Sequence, residues 1–147
     1  MVSVYIIKYT DLGQAKESIL QEYSKKSKGV RFALEYLPTG APQLIAGGKQ
    51  KGYVSISHTD GWLAMAFSDS KVGVDLERAD REVSPKVCEN IEKWTRIEAY
   101  AKWTGLGLSR DMLFEKLPDD IIVTKVFAKY VISVCGCSKD FKIIASV

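Results

Sequence analysis

Lys71-Val72-Gly73-Val74-Asp75-Leu76-Glu77 alternates branched apolar residues with glycine and acids. Side chains of a β-strand alternate between its two faces, so Val72, Val74 and Leu76 share one face and Gly73, Asp75 and Glu77 the other. The stretch therefore reads as a strand with a core face and an acidic face. Two carboxylates about 4 Å apart repel by roughly 4 kcal/mol at an effective dielectric of about 20. Such a pair either splays into water or takes a cation, and a hard, oxygen-ligated ion such as Mg²⁺ suits it best.

Before this strand, Asp69-Ser70 breaks the chain. Tyr53–Ser57 and Trp62–Phe67 read as strands joined by the turn His58-Thr-Asp-Gly61. Val30–Leu37 and the N-terminal Val2–Tyr9 are further strands. Between them Gln14–Lys26 carries Ala15, Ile19 and Tyr23 one turn apart, which predicts an amphipathic helix ending at Gly29. After the acidic strand, Ser84 as N-cap and Pro85 in the first turn predict a long helix to about Thr104, stopped by Gly105-Leu-Gly-Leu108. Ile121–Phe127, Tyr130–Cys137 and Phe141–Val147 read as three closing strands. The fold class expected is α+β. The order strand, helix, strands occurs twice, which predicts one domain over 1–147 built from two similar halves, about 1–68 and 69–147.

The 147 residues suffice for a core without metal or disulfide staples. A net charge of +3 does not mark a nucleic-acid binder, and Lys25-Lys26-Ser27-Lys28 reads as the solvated end of a helix. Cys88, Cys135 and Cys137 cannot all pair, and the gap in Cys135-Gly-Cys137 is too short for a zinc knuckle, so reduced thiols are expected. Met1–Lys8 reads as a strand, not a signal peptide, and no run approaches the roughly 18 apolar residues of a membrane span. A cytoplasmic protein is expected, without membrane or nucleic-acid partners.

On the helix ending at Thr104, Glu98 and Lys102 lie one turn apart at the margin of the apolar arc beside Ile91, Trp94 and Ala101. Glu98 can then face another element as a third carboxylate, and Lys102 can meet a phosphate; from this segment alone a plain Glu–Lys helix pair is the better reading. His58, the single histidine, follows a strand at a turn, a place suited to a phosphate contact or to a surface role. With one histidine and no Gly-x-Ser-x-Gly, nucleophilic hydrolase chemistry has little support.

Gly40-Ala41-Pro42, Ser55-Ile56-Ser57-His58, Gly73-Val74-Asp75-Leu76-Glu77 and Trp94 through Leu108, taken in this order, resemble the 4′-phosphopantetheinyl transferase superfamily, in particular its surfactin-synthetase-activating branch. The resemblance runs from about Tyr36 to Leu108. It implies a pseudo-dimer of two small α+β halves, each a long helix against an antiparallel sheet, with coenzyme A in the cleft between them. It implies that Asp75, Glu77 and Glu98 hold Mg²⁺ against the pyrophosphate. Lys102 would neutralise charge there, with Ser57, His58, Arg96 and Pro42 at the coenzyme A. Glu98 would be the general base for the serine hydroxyl of an acyl or peptidyl carrier protein, so that Glu98, Lys102 and Asp75 form the catalytic set. A monomer or a small homo-oligomer is implied. Ala41 and Ile97 stand where the family pattern has lysines, and the segment Arg78–Lys93 is short. These departures leave open a family member that binds coenzyme A or a carrier protein without transfer.

Overall fold

Asp60 and Gly61 both adopt positive φ, 51° and 76°. Two such residues make the tight turn whose twist matches a β-hairpin, and the strands on either side pair from Thr59↔Trp62 to Tyr53↔Ser68. The computed structural model in which this hairpin lies describes residues 1–113, 115–137 and 140–144. In chain order it contains β1 (Ser3–Lys8), α1 (Leu12–Lys26), β2 (Ala33–Tyr36), β3 (Pro42–Ala46), β4 (Lys49–Gln50), β5 (Tyr53–Thr59), β6 (Trp62–Ser68), β7 (Gly73–Arg78), α2 (Ile91–Thr104), β8 (Ile122–Phe127), β9 (Tyr130–Cys135) and β10 (Lys142–Ile144). The fold is α+β, as expected.

The strands form three sheets, ordered β10-β1-β6-β5, β2-β3-β4 and β7-β9-β8. Period-two patterning divides the core. Val4 and Ile6 of β1, Ala64 and Ala66 of β6, Val74 and Leu76 of β7, and Ile132 and Val134 of β9 pack into one cluster between the first and third sheets. The opposite face of the first sheet, with Tyr5, Leu63, Met65 and Phe67, packs on Ala15, Ile19 and Leu20 of α1. The third sheet contributes Ile122 and Cys135 to a separate cluster with Ile97, Ala99 and Ala101 of α2. Each helix thus covers the outer face of one sheet, and the inner faces share a core.

β5 and β7 are edge strands of different sheets and lie side by side. Their seam is closed by side chains in place of a backbone ladder. The outward N–H groups of Val74 and Leu76 donate to Ser55 Oγ and Ser57 Oγ, each at 3.0 Å. The hydroxyls satisfy donors that an open strand edge would leave unpaired.

The structure moves several sequence boundaries. α2 starts at Ile91 and not at Pro85. The Ser84 carbonyl accepts from the N–H groups of Val87 and Cys88 in an isolated turn, after which the helix does not continue. Asn90 is the working cap: its φ of −161° is extended and its side chain accepts from Lys93 N–H at 2.8 Å. At the other end Gly105 takes the left-handed conformation, φ 73°, that a C-cap favours. The final strand, expected over Phe141–Val147, is described as β10 at Lys142–Ile144, and positions 145–147 lie outside the described residues. It runs parallel to β1 in the first sheet, so the chain beyond 69 does not stay with the third sheet. Cys88, Cys135 and Cys137 are buried and unpaired, as expected. No helix among the described residues is long and apolar enough to cross a membrane.

Candidate functional site

Gly73 sets the position of the site. A Cβ built on it would collide with the carbonyl oxygen of Ala99 and lie 2.6 Å from Trp103 N. α2 therefore crosses β7 with its backbone against the glycine, an approach no larger residue permits. Asp75 and Glu77 follow on the same face of β7 and so look toward the helix, where Glu98 and Lys102 lie one turn apart.

Lys102 Nζ donates at 2.9 Å to the carbonyls of both Ile56 in β5 and Val74 in β7. Its third partner is Asp75, at 3.7 Å from Oδ1. One ammonium group thereby ties α2 to both strands of the seam. Asp75 is 5% exposed, and its Oδ1 also accepts from Ser57 Oγ at 3.3 Å. Oδ2 is buried without a partner, alone in this among the buried side-chain N and O atoms of the described residues. Burial pushes the Asp75 carboxyl up to about 8; Lys102 opposes the shift, whereas the charges of Glu77 and Glu98 add to it. Burial likewise raises Glu98, against the pull of Lys102 and Arg81 and with repulsion from Glu77. Glu77 is turned onto Arg81, whose Nη1 donates to Oε2 at 2.6 Å.

Three carboxylates from a strand and a helix are therefore electrostatic neighbours. Their donor chemistry fits a hard divalent cation, and the unpartnered Oδ2 of Asp75 is an oxygen in want of one. As placed, no three His, Cys, Asp or Glu side chains among the described residues are gathered to hold a metal ion. Glu77 would have to leave Arg81 to join a ligand set.

Beside the seam opens a cleft of about 420 Å³. Its walls are the turn from Leu37 to Gln43, the first half of β5, Lys71 and Val72, and the end of α2 through Gly107. Pro42, which opens β3, and Lys102 both line it. The lining is mostly apolar, with Lys102 on the wall and Lys71 set over the Trp103 ring at 5.7 Å.

The other expected residues lie differently. Ser57 is buried, and its hydroxyl is committed to Leu76 N–H and Asp75. His58 is exposed beyond the cleft-lining part of β5, its Nδ1 3.3 Å from Tyr9 Oη. Arg96 is not brought to the cleft. It donates to Thr124 Oγ1 at 2.8 Å and to the Ile122 carbonyl, and pairs with Asp119 at 2.5 Å. Residues two positions apart on an α-helix point about 200° from each other, so Arg96 and Glu98 face opposite sides of α2. The sequence reading missed Arg81 and the structural part played by Ser55. Arg81 sits in an irregular segment where no periodicity assigns a face. Ser55 carried a signal in its alternation with Ser57.

No protein-family model matches the chain, and no curated protein matches it.

Proposed function

We propose that the chain is a Mg²⁺-dependent 4′-phosphopantetheinyl transferase, moving the phosphopantetheine arm of coenzyme A to a serine of an acyl or peptidyl carrier protein in the cytoplasm. The observation that carries this reading is the buried, unpartnered Oδ2 of Asp75, a carboxylate within the electrostatic reach of Glu77 and Glu98 and 3.7 Å from the cleft-lining Lys102. It is supported by the arrangement of each helix against one sheet with a cleft where β5, β7 and α2 meet, the layout that a pseudo-dimer of the family requires.

Asp75, Glu77 and Glu98 would hold Mg²⁺, which when bound supplies positive charge to the pyrophosphate of coenzyme A. The apolar cleft excludes water from the ligand. Lys102 places a second positive charge on its wall, which would neutralise charge on the leaving 3′,5′-bisphosphate of adenosine. Glu98 takes the proton of the serine hydroxyl, and a carboxyl raised by burial is a stronger base for that task than an exposed one. Asp75 is held in place by Ser57 and Lys102, so its orientation is set before ligand arrives. Transfer of a phosphoryl group depends mainly on such positioning and charge neutralisation.

The test is incubation with coenzyme A, Mg²⁺ and a panel of apo carrier proteins, read by intact mass. One carrier gains the mass of the arm, and Asp75→Ala abolishes the gain. Folded protein that modifies no carrier, the cognate one included, counts against transfer. A second reading, binding without transfer, is favoured by the engaged state of the cations: Lys102 on two carbonyls and Asp75, Arg96 on Asp119, and Arg81 on Glu77. Mg²⁺-dependent coenzyme A binding in a calorimeter without any mass gain selects it.

A further inference from the structure

The three acids are not without positive charge in this structure. Arg81 belongs to the irregular stretch 79–90 between β7 and α2. Its guanidinium donates to Glu77 Oε2 at 2.6 Å, and the charges of Asp75 and Glu98 act on it as well as that of Glu77. Glu77 is largely enclosed, with its side chain 12% exposed, whereas the Arg81 side chain is 51% exposed. The acid is thus fixed and the base is the partner free to leave. The stretch that carries Arg81 is held at Ala79, whose N–H donates to the Lys129 carbonyl at 2.8 Å, and at buried Cys88. Between these anchors Glu82, Ser84, Pro85, Lys86 and Val87 are exposed.

We propose that Arg81 is the resident counter-ion of the acidic cluster, and that a divalent cation entering the site displaces it from Glu77 and releases the stretch 79–90. The inference rests on the reading of Asp75, Glu77 and Glu98 as metal ligands. Its physical basis is an exchange of cations. Glu77 cannot be left enclosed with no positive partner at small cost, so Arg81 satisfies it in the metal-free protein. A guanidinium on Glu77 cannot reach the buried Oδ2 of Asp75, which stays unpartnered. A small divalent ion can serve Asp75, Glu77 and Glu98 together, and this is its advantage over the arginine. The exchange frees a positive charge on an exposed stretch beside the site, where an anionic partner can take it up.

The experiment titrates the full chain with Mn²⁺ as a stand-in for Mg²⁺, by calorimetry and by the electron paramagnetic resonance signal of the free ion. The proteins compared are the wild type, Arg81→Gln, Arg81→Lys and Asp75→Asn. Removing a competing, half-exposed ion pair tightens Mn²⁺ binding about two- to fivefold in Arg81→Gln. Arg81→Lys keeps a competing charge and stays near the wild type, and Asp75→Asn loses most of the binding. Amide hydrogen exchange over 79–90 speeds up on Mn²⁺ addition in the wild type. In Arg81→Gln it is fast from the start and indifferent to Mn²⁺. If Arg81→Gln binds Mn²⁺ no more tightly than the wild type while Asp75→Asn abolishes binding, the displacement idea is overturned and the metal-site reading survives. If none of the proteins binds Mn²⁺, or Asp75→Asn binds it as well as the wild type, both are overturned.

Discussion

Asp75→Asn tests the electrostatics of the site without any ligand. The wild-type carboxyl is lifted from the ordinary 3.8 to about 8, chiefly by burial. The folded state therefore holds the Asp75 proton more tightly than the unfolded chain does. This contribution to stability is complete below the unfolded pKa and is lost as pH rises through the folded one. At about 1.4 kcal/mol per pKa unit, the lift corresponds to roughly 6 kcal/mol. That is an upper figure, because water entering with the charge and a closer approach of Lys102 reduce it to a few kcal/mol. Asparagine preserves the volume and the acceptor for Ser57 and Lys102, but it does not titrate. Urea unfolding in a chelator, at steps from about pH 5 to about pH 8, reads the difference in slope. The wild type loses a few kcal/mol relative to Asp75→Asn over this range, and Mg²⁺ at the upper end restores the wild type only. Curves parallel within about 0.5 kcal/mol refute the account of Asp75 as a carboxyl held neutral by its surroundings.

Lys102→Met leaves two seam carbonyls and Asp75 without their donor and destabilises the fold by about 2–3 kcal/mol in denaturant titration, in the absence of any ligand; a lysine that served only a phosphate would leave stability unchanged. Gly73→Ala drives a methyl group into the backbone of α2 and lowers stability by about 3 kcal/mol, the upper end for overpacking, with a loss of activity because Glu98 shifts against Asp75. An effect under about 0.5 kcal/mol would show that the helix does not rest on that glycine. Cys135 is fully buried with its thiol pushed up to about 12. An aromatic disulfide reagent reacts with it at least about a hundredfold more slowly in native protein than in guanidinium chloride.

How far the sequence reveals this arrangement depends on the range of the interaction involved. Alternation along 72–77 assigns Val74 and Leu76 to the core and Asp75 to the helix-facing side, because period two is a property of the strand alone. Asp60-Gly61 and Gly105 are legible for a similar reason: each marks a backbone conformation that few residues adopt. The start of α2 is not decided locally, because Ser84-Pro85 and Asn90 are both acceptable N-terminal signals. The choice falls to where the apolar arc of Trp94, Ile97 and Ala101 begins to find a sheet. The pairing of β10 with β1 joins residues about 140 positions apart, and nothing local in Lys142–Ile144 encodes its partner. Arg96 enters the expected site because it lies one position from Ile97, where the family pattern has a lysine, although the helical angle between Arg96 and Glu98 already places it elsewhere.

Lys102 links the seam to the proposed chemistry. An ammonium group has three protons, and here two are held at 2.9 Å by carbonyls of different sheets, while Asp75 stands farther off at 3.7 Å. An anion approaching from the cleft would compete first with the longest of these contacts. Were Lys102 drawn from Asp75 by that competition, the ionised form of Asp75 would be left buried with one oxygen already unpartnered, an outcome its surroundings disfavour. A cation on Asp75 removes the conflict, since it replaces the positive charge that Lys102 turns toward the anion. Metal and phosphate would then favour each other's binding through a residue that never leaves the seam. The strands β5 and β7 hold Lys102 in place for this, and Lys102 in turn holds them together.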